Sequence, residues 1–122
     1  MRERRRFVRG LRERRRFVRI PRDLEIFYEV LSKKIFRDTI TKDISQGGIR
    51  FVTDEFIAKD SILKIRLILR KIHFTFEAYV KVVWIKKESR SGRYEIGVEF
   101  TNIPDDAAKL LVAYLTNVLK KG

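Results

Sequence analysis

The stretch DISQGG (43–48) is a polar, glycine-bearing break between segments that have the residue pattern of β-strands. Before it lie LEIFYEV (24–30) and IFRDTIT (35–41), which are rich in branched and aromatic residues and partly alternate between apolar and polar. After it, IRFVT (49–53) resumes the strand pattern. The break is therefore predicted to connect two strands.

The rest of the chain continues this β-rich pattern and ends in a different one. After a connection at 54–60, the sequence predicts two long strands, a hairpin turn and a return strand, at 62–70, 74–87, 88–92 and 93–100. From Ala107 to Val118 the apolar residues recur at helical spacing, and Pro104 followed by two aspartates suits a first helical turn. The chain is thus predicted to be mainly β, with about six antiparallel strands in a small barrel or sandwich and one helix packed on it.

The composition limits the class of protein. A chain of 122 residues, 44% of them hydrophobic, suits a single domain with a real core. No apolar run approaches the roughly 18 residues of a membrane span, and the charged N-terminus lacks the apolar region of a secretory signal. The absence of cysteine excludes disulfides, thiol catalysis and zinc–thiolate sites. We therefore expect a cytoplasmic protein.

An arginine-rich octapeptide, RERRRFVR, occurs at 2–9 and again at 12–19. Residues 1–20 contain ten arginines and two glutamates, so they carry +8 of the formal net charge of +13. Such a block attracts phosphate groups, whether these belong to a nucleic acid, an anionic lipid or a nucleotide. A basic tail that only keeps the protein soluble is the simpler interpretation.

Catalytic sites are hard to build from this sequence. His73 is the only histidine, and the adjacent acidic pairs at 54–55 and 105–106 have no histidine or cysteine partner that would indicate a metal or a nucleophile. Neither of the glycine-rich phosphate-binding patterns, GxxxxGK[ST] or GxGxxG, is present. We therefore predict that the protein is not an enzyme and has no metal or cofactor.

Two short motifs remain. Arg15 and Arg19 form an RxxxR just before the first long strand, and Asp43, Ser45 and Gly48 form a DxSxxG. Each is weak alone, because arginine pairs are common in basic segments and DxSxxG can be an ordinary turn closed by glycine. In this order, and followed by IGVEF (96–100) and the C-terminal helix, they resemble the PilZ domain, the bacterial receptor for the second messenger cyclic di-GMP. The resemblance covers about residues 14–120.

The resemblance implies a fold, a ligand and a role in signal transduction. The fold is a six-stranded antiparallel β-barrel with a C-terminal α-helix over residues 14–122, preceded by a basic extension at 1–13 that is predicted to be flexible. The protein would bind cyclic di-GMP and relay the signal to an unknown partner protein, in control of the motility or biofilm type. The ligand-binding residues that it implies are Arg14, Arg15, Arg16, Arg19, Asp43, Ser45, Gly47, Gly48 and Gly97.

The chemistry of these residue types suits the ligand. A guanidinium can bind a phosphate through two hydrogen bonds or stack on a guanine, so the resemblance assigns Arg15 and Arg19 to phosphate and base contacts. A carboxylate is the natural acceptor for the N1–H and N2–H₂ groups of guanine, which assigns Asp43, with Ser45 beside it, to a guanine edge. Gly48 would let the backbone bend or approach the ligand. An arginine directly before the RxxxR, here Arg14, is associated in this family with capture of an intercalated dimer of cyclic di-GMP.

The second octapeptide is predicted to be the binding copy. Arg19 lies 24 residues before Asp43 and runs directly into the first strand, whereas Arg9 lies 34 residues before it and is followed by Gly10. Two alternatives stay open at this point. One is a nucleic-acid-binding barrel, which the net charge permits and which exposed aromatic residues among Phe27, Tyr28, Phe51 and Phe74 would favour. The other is a PilZ-like scaffold that binds no nucleotide.

Overall fold

The computed structural model of the chain describes residues 18–121, with side chains as far as Leu119. The predicted six long strands and C-terminal helix are confirmed, and one short strand precedes them. The strands are β1 (Ile20–Pro21), β2 (Glu25–Val30), β3 (Ile35–Ile44), β4 (Gly48–Thr53), β5 (Ile62–Leu69), β6 (Phe74–Lys87) and β7 (Tyr94–Asn102), and the helix is α1 (Asp105–Lys121).

The six long strands close into an antiparallel barrel. Neighbouring strands follow the order β1-β3-β2-β5-β6-β7-β4, and a further pairing between β3 and β4 joins the ends of this sheet. The choice between barrel and sandwich is therefore resolved in favour of the barrel. The short strand β1 pairs with the end of β3, with Ile20 opposite Ile44 and Pro21 opposite Asp43, so the N-terminal segment is attached beside the DxSxxG motif.

The barrel interior is filled by alternate residues of its strands. In β5, for example, Leu63, Ile65, Leu67 and Leu69 are all buried. Burial of each such side chain stabilises the fold by about 1.5–3 kcal/mol. The helix adds a stripe of buried residues, Ala107, Leu111, Tyr114 and Leu115, which belong to the same core cluster.

Several boundaries differ from the sequence-based prediction, and the return strand predicted at 93–100, for example, is β7 (Tyr94–Asn102). The predicted break at 43–48 is shorter, because Asp43 and Ile44 belong to β3 and Gly48 begins β4. Asp43 was predicted to lie in the break. The strand can hold its charged side chain because Arg50 of the neighbouring strand β4 pairs with it. The strand predicted at 62–70 ends at Leu69, where a 3₁₀ turn, Arg70–Ile72, leads into β6.

Within residues 18–121, no helix is long and apolar enough to cross a membrane.

Candidate ligand-binding site

A β-bulge near the end of β3 turns Asp43 out of the barrel interior. Thr41 lies opposite Phe51, and both are buried, Phe51 in the hydrophobic core. The next paired residues are Asp43 and Arg50, so β3 holds one residue more than β4 at this point, namely Lys42. Regular alternation from Thr41 would turn Asp43 inward, and the bulge instead places Asp43 on the outer face, opposite Arg50.

A second bulge does the same for Trp84 in β6. Val82 lies opposite Val98 and faces the core, but the next paired residues are Trp84 and Gly97, which leaves Val83 as the extra residue. If residues 82–84 alternated regularly, Trp84 would share the inward orientation of Val82. Because of the bulge, the indole is on the outer face and is 40% exposed.

The two bulges bring four residues into one row across the outside of the barrel. Asp43 in β3 lies opposite Arg50 in β4, Arg50 lies opposite Gly97 in β7, and Gly97 lies opposite Trp84 in β6. The indole covers Gly97, because a Cβ placed on this glycine would lie 2.3 Å from Cε2 and 2.4 Å from Nε1 of Trp84. Only glycine leaves room for the ring at this position.

Arg19 reaches this row from the N-terminal side. The pairing of β1 with β3 places Arg19 next to Asp43, and Arg19 Nε donates a hydrogen bond to Asp43 Oδ1 at 2.7 Å. The two side chains are unlike in exposure, since Arg19 is 46% exposed and Asp43 only 6%. The RxxxR and DxSxxG motifs therefore meet through one charged pair with a buried acidic partner and an accessible basic one.

The other oxygen of Asp43 is held from within the sheet. Arg50 Nη2 lies 2.5 Å from Asp43 Oδ2, and Arg50 Nη1 donates to Glu95 Oε2 at 2.8 Å. Lys42, the bulge residue, lies 3.5 Å from Glu95 Oε1 and so adds to the same network. Sequence reasoning missed Arg50 and Trp84, because their positions depend on strand register. The signal that could have suggested Arg50 is a basic residue two positions after the DxSxxG motif.

The loop between β3 and β4 is shaped by Ser45. Its Oγ accepts hydrogen bonds from the N–H groups of Gly47 at 3.1 Å and Gly48 at 3.2 Å, while its own N–H donates to the Gly48 carbonyl at 2.9 Å. The Gly47 carbonyl in turn accepts from the N–H of Phe100 in β7 at 2.9 Å. Ser45 is buried, so in this structure its hydroxyl stabilises the turn. The predicted guanine contact of Ser45 stays a prediction.

Gly48 is required by the close approach of two strands. A Cβ at this position would lie 2.0 Å from the carbonyl oxygen of Val98 in β7. Backbone atoms of a paired strand cannot move away as a side chain can, so only glycine lets β4 pair with β7 here. A direct approach of Gly48 to a ligand stays a prediction.

These elements surround a groove of about 690 Å³. Arg19 lies at one side, the Ser45–Gly48 loop forms an edge, and Trp84 with Gly97 lines the wall. Asp43 and Arg50 do not line it, since Arg19 covers the carboxylate. The groove therefore combines a cation, backbone groups of a glycine-rich loop, an exposed aromatic ring and one acidic residue, Glu99.

A larger groove of about 980 Å³ is lined by residues 38–42 of β3 and by residues of neighbouring segments. Its lining includes Arg70 and Arg93 but also Glu25 and Asp38, so charges of both signs are mixed along it. The lining contains none of the residues that the sequence motifs single out. The smaller groove is therefore the better candidate.

Of the nine sequence-predicted site residues, six are in the described part of the chain. Arg19 and Asp43 are in contact, and the other four, Ser45, Gly47, Gly48 and Gly97, lie around the same groove. Arg14, Arg15 and Arg16 lie outside the described residues. Within residues 18–121 no group of three or more His, Asp or Glu side chains is placed to hold a metal ion.

The aromatic residues on which nucleic-acid binding would depend do not form one exposed face. Tyr28 and Phe51 are buried, with ring centroids 5.4 Å apart, and Phe74 packs against the core. Phe27 is exposed and lies between Asp38 on one neighbouring strand and Arg66 on the other. Of these four residues, only Phe27 is therefore an exposed ring, and they do not form a shared stacking surface for bases.

Comparisons with known proteins identify the family. The family model described as PilZ domain matches residues 13–117. A search of the curated proteins found no match. Among solved structures, the chain is similar to the inhibitor of motility MotI/DgrA of Bacillus subtilis, with a TM-score of 0.74 and 20% identity over 86% of this chain and 51% of that one.

Two structures of YcgR from Escherichia coli are also similar. YcgR in complex with c-di-GMP has a TM-score of 0.73 and 15% identity over 88% of this chain and 47% of that one. The PilZ domain of YcgR with c-di-GMP has a TM-score of 0.69 and 14% identity over 88% of this chain and 93% of that one. The chain thus spans about half the length of MotI and YcgR. At these identities the likeness shows a shared fold.

Proposed function

Because the chain belongs to the PilZ domain family, we propose that it is a receptor that binds cyclic di-GMP in the groove beside Arg19 and relays the signal to a partner protein. The observation that carries this proposal is the 2.7 Å contact between Arg19 and Asp43 at the side of a groove that Trp84 lines. The contact joins the two motifs that the ligand would need. Two similar structures, those of YcgR, contain c-di-GMP.

Each part of the groove suits one part of this ligand. Arg19 is accessible and can exchange its bond to Asp43 for a phosphate oxygen or a guanine face, and each charge-assisted bond contributes about 1.5–3 kcal/mol. The exposed indole of Trp84 offers a face on which a guanine can stack. The carboxylate of Asp43, once Arg19 has moved, accepts the N1–H and N2–H₂ groups of guanine.

The arginines outside the described residues complete the proposal. Arg15 would act with Arg19 on the phosphates, and Arg16 would add positive charge to the site. Ligand binding would wrap the N-terminal arginine segment against the barrel and so change the surface that a partner protein meets. The ordering entropy of this step is offset by the charge-assisted contacts.

The proposed stoichiometry is two cyclic di-GMP per chain, and it depends on Arg14. An intercalated dimer presents more phosphates and an additional base face, which Arg14 can bind by stacking or bridging. In calorimetric titrations at ligand concentrations well above the dissociation constant, Arg14→Leu is expected to lower the ratio from near two toward one without abolishing binding. A ratio near one for the unmodified protein would contradict the binding of a cyclic di-GMP dimer, but not the proposal that the protein is a cyclic di-GMP receptor.

The regulated process is proposed from the similar proteins. MotI is described as an inhibitor of motility, and MrkH, a further similar structure, as a c-di-GMP-dependent transcription regulatory factor. We expect this receptor to act in the cytoplasm on a process of this kind, without catalysis of its own. The partner protein is to be found by affinity capture with and without cyclic di-GMP.

Isothermal titration calorimetry is the direct test of the ligand. The full chain is titrated with cyclic di-GMP and, separately, with a short DNA and a short RNA oligonucleotide in the same buffer. Saturable binding of cyclic di-GMP that persists at 0.3 M salt, a concentration of roughly twice physiological ionic strength, supports the proposal. Binding of the oligonucleotides alone would favour the nucleic-acid alternative, and no binding at all would favour the scaffold alternative.

A further inference from the structure

Arg50 has no place in either sequence motif, yet it is tied directly to the carboxylate of Asp43. Its Nη2 is 2.5 Å from Asp43 Oδ2, and its Nη1 donates to Glu95 at 2.8 Å. Its remaining nitrogen, Nε, is buried and has no hydrogen-bond partner among the described residues. Arg50 is therefore held on two sides by strands β3 and β7.

The two arginines that bind Asp43 differ in how firmly they are held. Arg19 precedes the two-residue strand β1, is 46% exposed, and lines the groove. Arg50 lies in the middle of a row of paired strands, is 37% exposed, and does not line the groove. A ligand can therefore displace Arg19 from Asp43 while Arg50 stays in place.

We propose that Arg50 is a positioning residue that fixes the Asp43 carboxylate for guanine and thereby sets the preference of the site for guanine over adenine. The inference rests on the proposed function, since it concerns the same site. A carboxylate oxygen accepts two hydrogen bonds. Arg50 uses one acceptor position on Oδ2, which leaves a second position there and both positions on Oδ1 after Arg19 departs. The carboxylate can then accept both N1–H and N2–H₂ of a guanine without losing its bond to Arg50.

This geometry discriminates between bases. Guanine presents two donors side by side on its Watson–Crick edge, whereas adenine presents the acceptor N1 at the corresponding place and would meet the fixed carboxylate with a lone pair. If Arg50 were absent, Asp43 could turn and take Arg19 in a two-bond pair, which is the usual geometry of arginine with a carboxylate. That pairing would withdraw Arg19 from the ligand and leave no oriented acceptor for guanine.

The test compares binding of cyclic di-GMP and cyclic di-AMP by calorimetry. Arg50→Gln is expected to reduce the ratio of the two affinities at least tenfold relative to the unmodified protein. The matched control is Arg66→Gln, which removes the same charge from β5, where the 55% exposed Arg66 pairs with Glu77. The control is expected to leave the ratio unchanged.

Two further variants separate position from charge. Arg50→Lys keeps the charge but has one nitrogen in place of the fork that bonds Asp43 and Glu95, so the ratio is expected to stay low. Glu95→Gln weakens the anchor of Arg50 without touching Asp43, and it is expected to lower the ratio in the same direction by a smaller factor. Thermal unfolding of each variant establishes that the barrel is folded before binding is compared.

The outcomes distinguish this inference from the function on which it rests. If the unmodified protein prefers cyclic di-GMP and Arg50→Gln keeps the same ratio, the positioning role is refuted and the receptor stands. Full recovery of the ratio in Arg50→Lys would also refute it, because charge alone would then suffice. If the unmodified protein binds neither dinucleotide, the proposed function fails and the role of Arg50 fails with it.

Discussion

Substitution by alanine is expected to weaken ligand binding at one glycine of the site, Gly97, and to lower the stability of the fold at another, Gly48. In Gly97→Ala the new Cβ would lie 2.3–2.8 Å from three atoms of the Trp84 ring. An ordinary contact of this kind is roughly 3.5–4 Å, so the indole must move by more than about 1 Å. The ring is a half-exposed side chain and can rotate toward solvent. In Gly48→Ala the Cβ meets the Val98 carbonyl at 2.0 Å, and only the backbone of the barrel can yield.

The magnitudes follow from what is lost in each case. Moving the indole removes a stacking surface worth about 1–3 kcal/mol, which corresponds to a 5- to 150-fold weaker affinity for cyclic di-GMP. The stability of Gly97→Ala should change by less than about 1 kcal/mol, because alanine is also more favourable than glycine in a strand interior. Gly48→Ala should instead lower the free energy of unfolding by about 1–3 kcal/mol or more, as overpacking of a core does.

Fluorescence gives a direct readout, because Trp84 is the only tryptophan. Cyclic di-GMP should quench its emission in the unmodified protein, and Gly97→Ala should shift the emission to longer wavelength before ligand is added and reduce the quenching. Urea unfolding measures the stability of both variants. If Gly97→Ala binds with unchanged affinity and unchanged emission, then the indole is not part of the binding wall and the reasoning from this contact is wrong.

Three further results are expected. Arg19→Ala and Asp43→Ala should each weaken cyclic di-GMP binding at least tenfold, about 1.4 kcal/mol, with the barrel still folded by circular dichroism; wild-type affinity in both would mean that the site is elsewhere. Deletion of residues 1–10 should leave binding largely intact apart from a salt-dependent loss, whereas a folded deletion variant that does not bind would place the first octapeptide in the site. Burial is the main reason that the pKa of Tyr28 is raised to about 12, a net value that includes the lowering effect of the Thr53 hydrogen bond and the raising effect of the Glu55 charge. Because this folded-state pKa exceeds the value of about 10 in the unfolded chain, stability present below pH 10 should be lost as the pH rises toward 12. Tyr28→Phe should remove this part of the loss in urea titrations at each pH.

The sequence predicted the parts of the fold that depend on local pattern. The residue pattern of 62–70 and 74–87 indicated two long strands and the helical spacing from Ala107 to Val118 a helix, and all three are confirmed, with the first strand ending at Leu69. The two-residue strand β1 was not predicted, since Ile20–Pro21 is too short to show alternation. It forms because it pairs with the end of β3, which no local pattern reports.

The candidate site was only partly predictable, for a related reason. Arg19 and Asp43 were predicted because they belong to motifs that can be recognised in the sequence alone, and the two side chains are in contact. The positions of Trp84 and Arg50 in the site depend instead on the register of strand pairing. By simple alternation Trp84 would share the inward face of Val82, and only the bulge in β6 turns it outward. The position of a bulge is set by pairing with the neighbouring strand, so period-two alternation within one strand does not reveal it.

The bulges also bear on how such a site is gained or lost in evolution. Loss of one codon, that of Lys42 or Val83, would remove a bulge without moving the residue that follows it. Thr41 would then be followed directly by Asp43, or Val82 by Trp84, and regular alternation would keep Asp43 and Trp84 on the outer face. Gain of one codon between Arg50 and Phe51 would instead supply a partner for Lys42, and regular alternation would then place Thr41 and Asp43 on the same face. An in-frame insertion outside both motifs can therefore disable such a site while the sequence still carries its full signature.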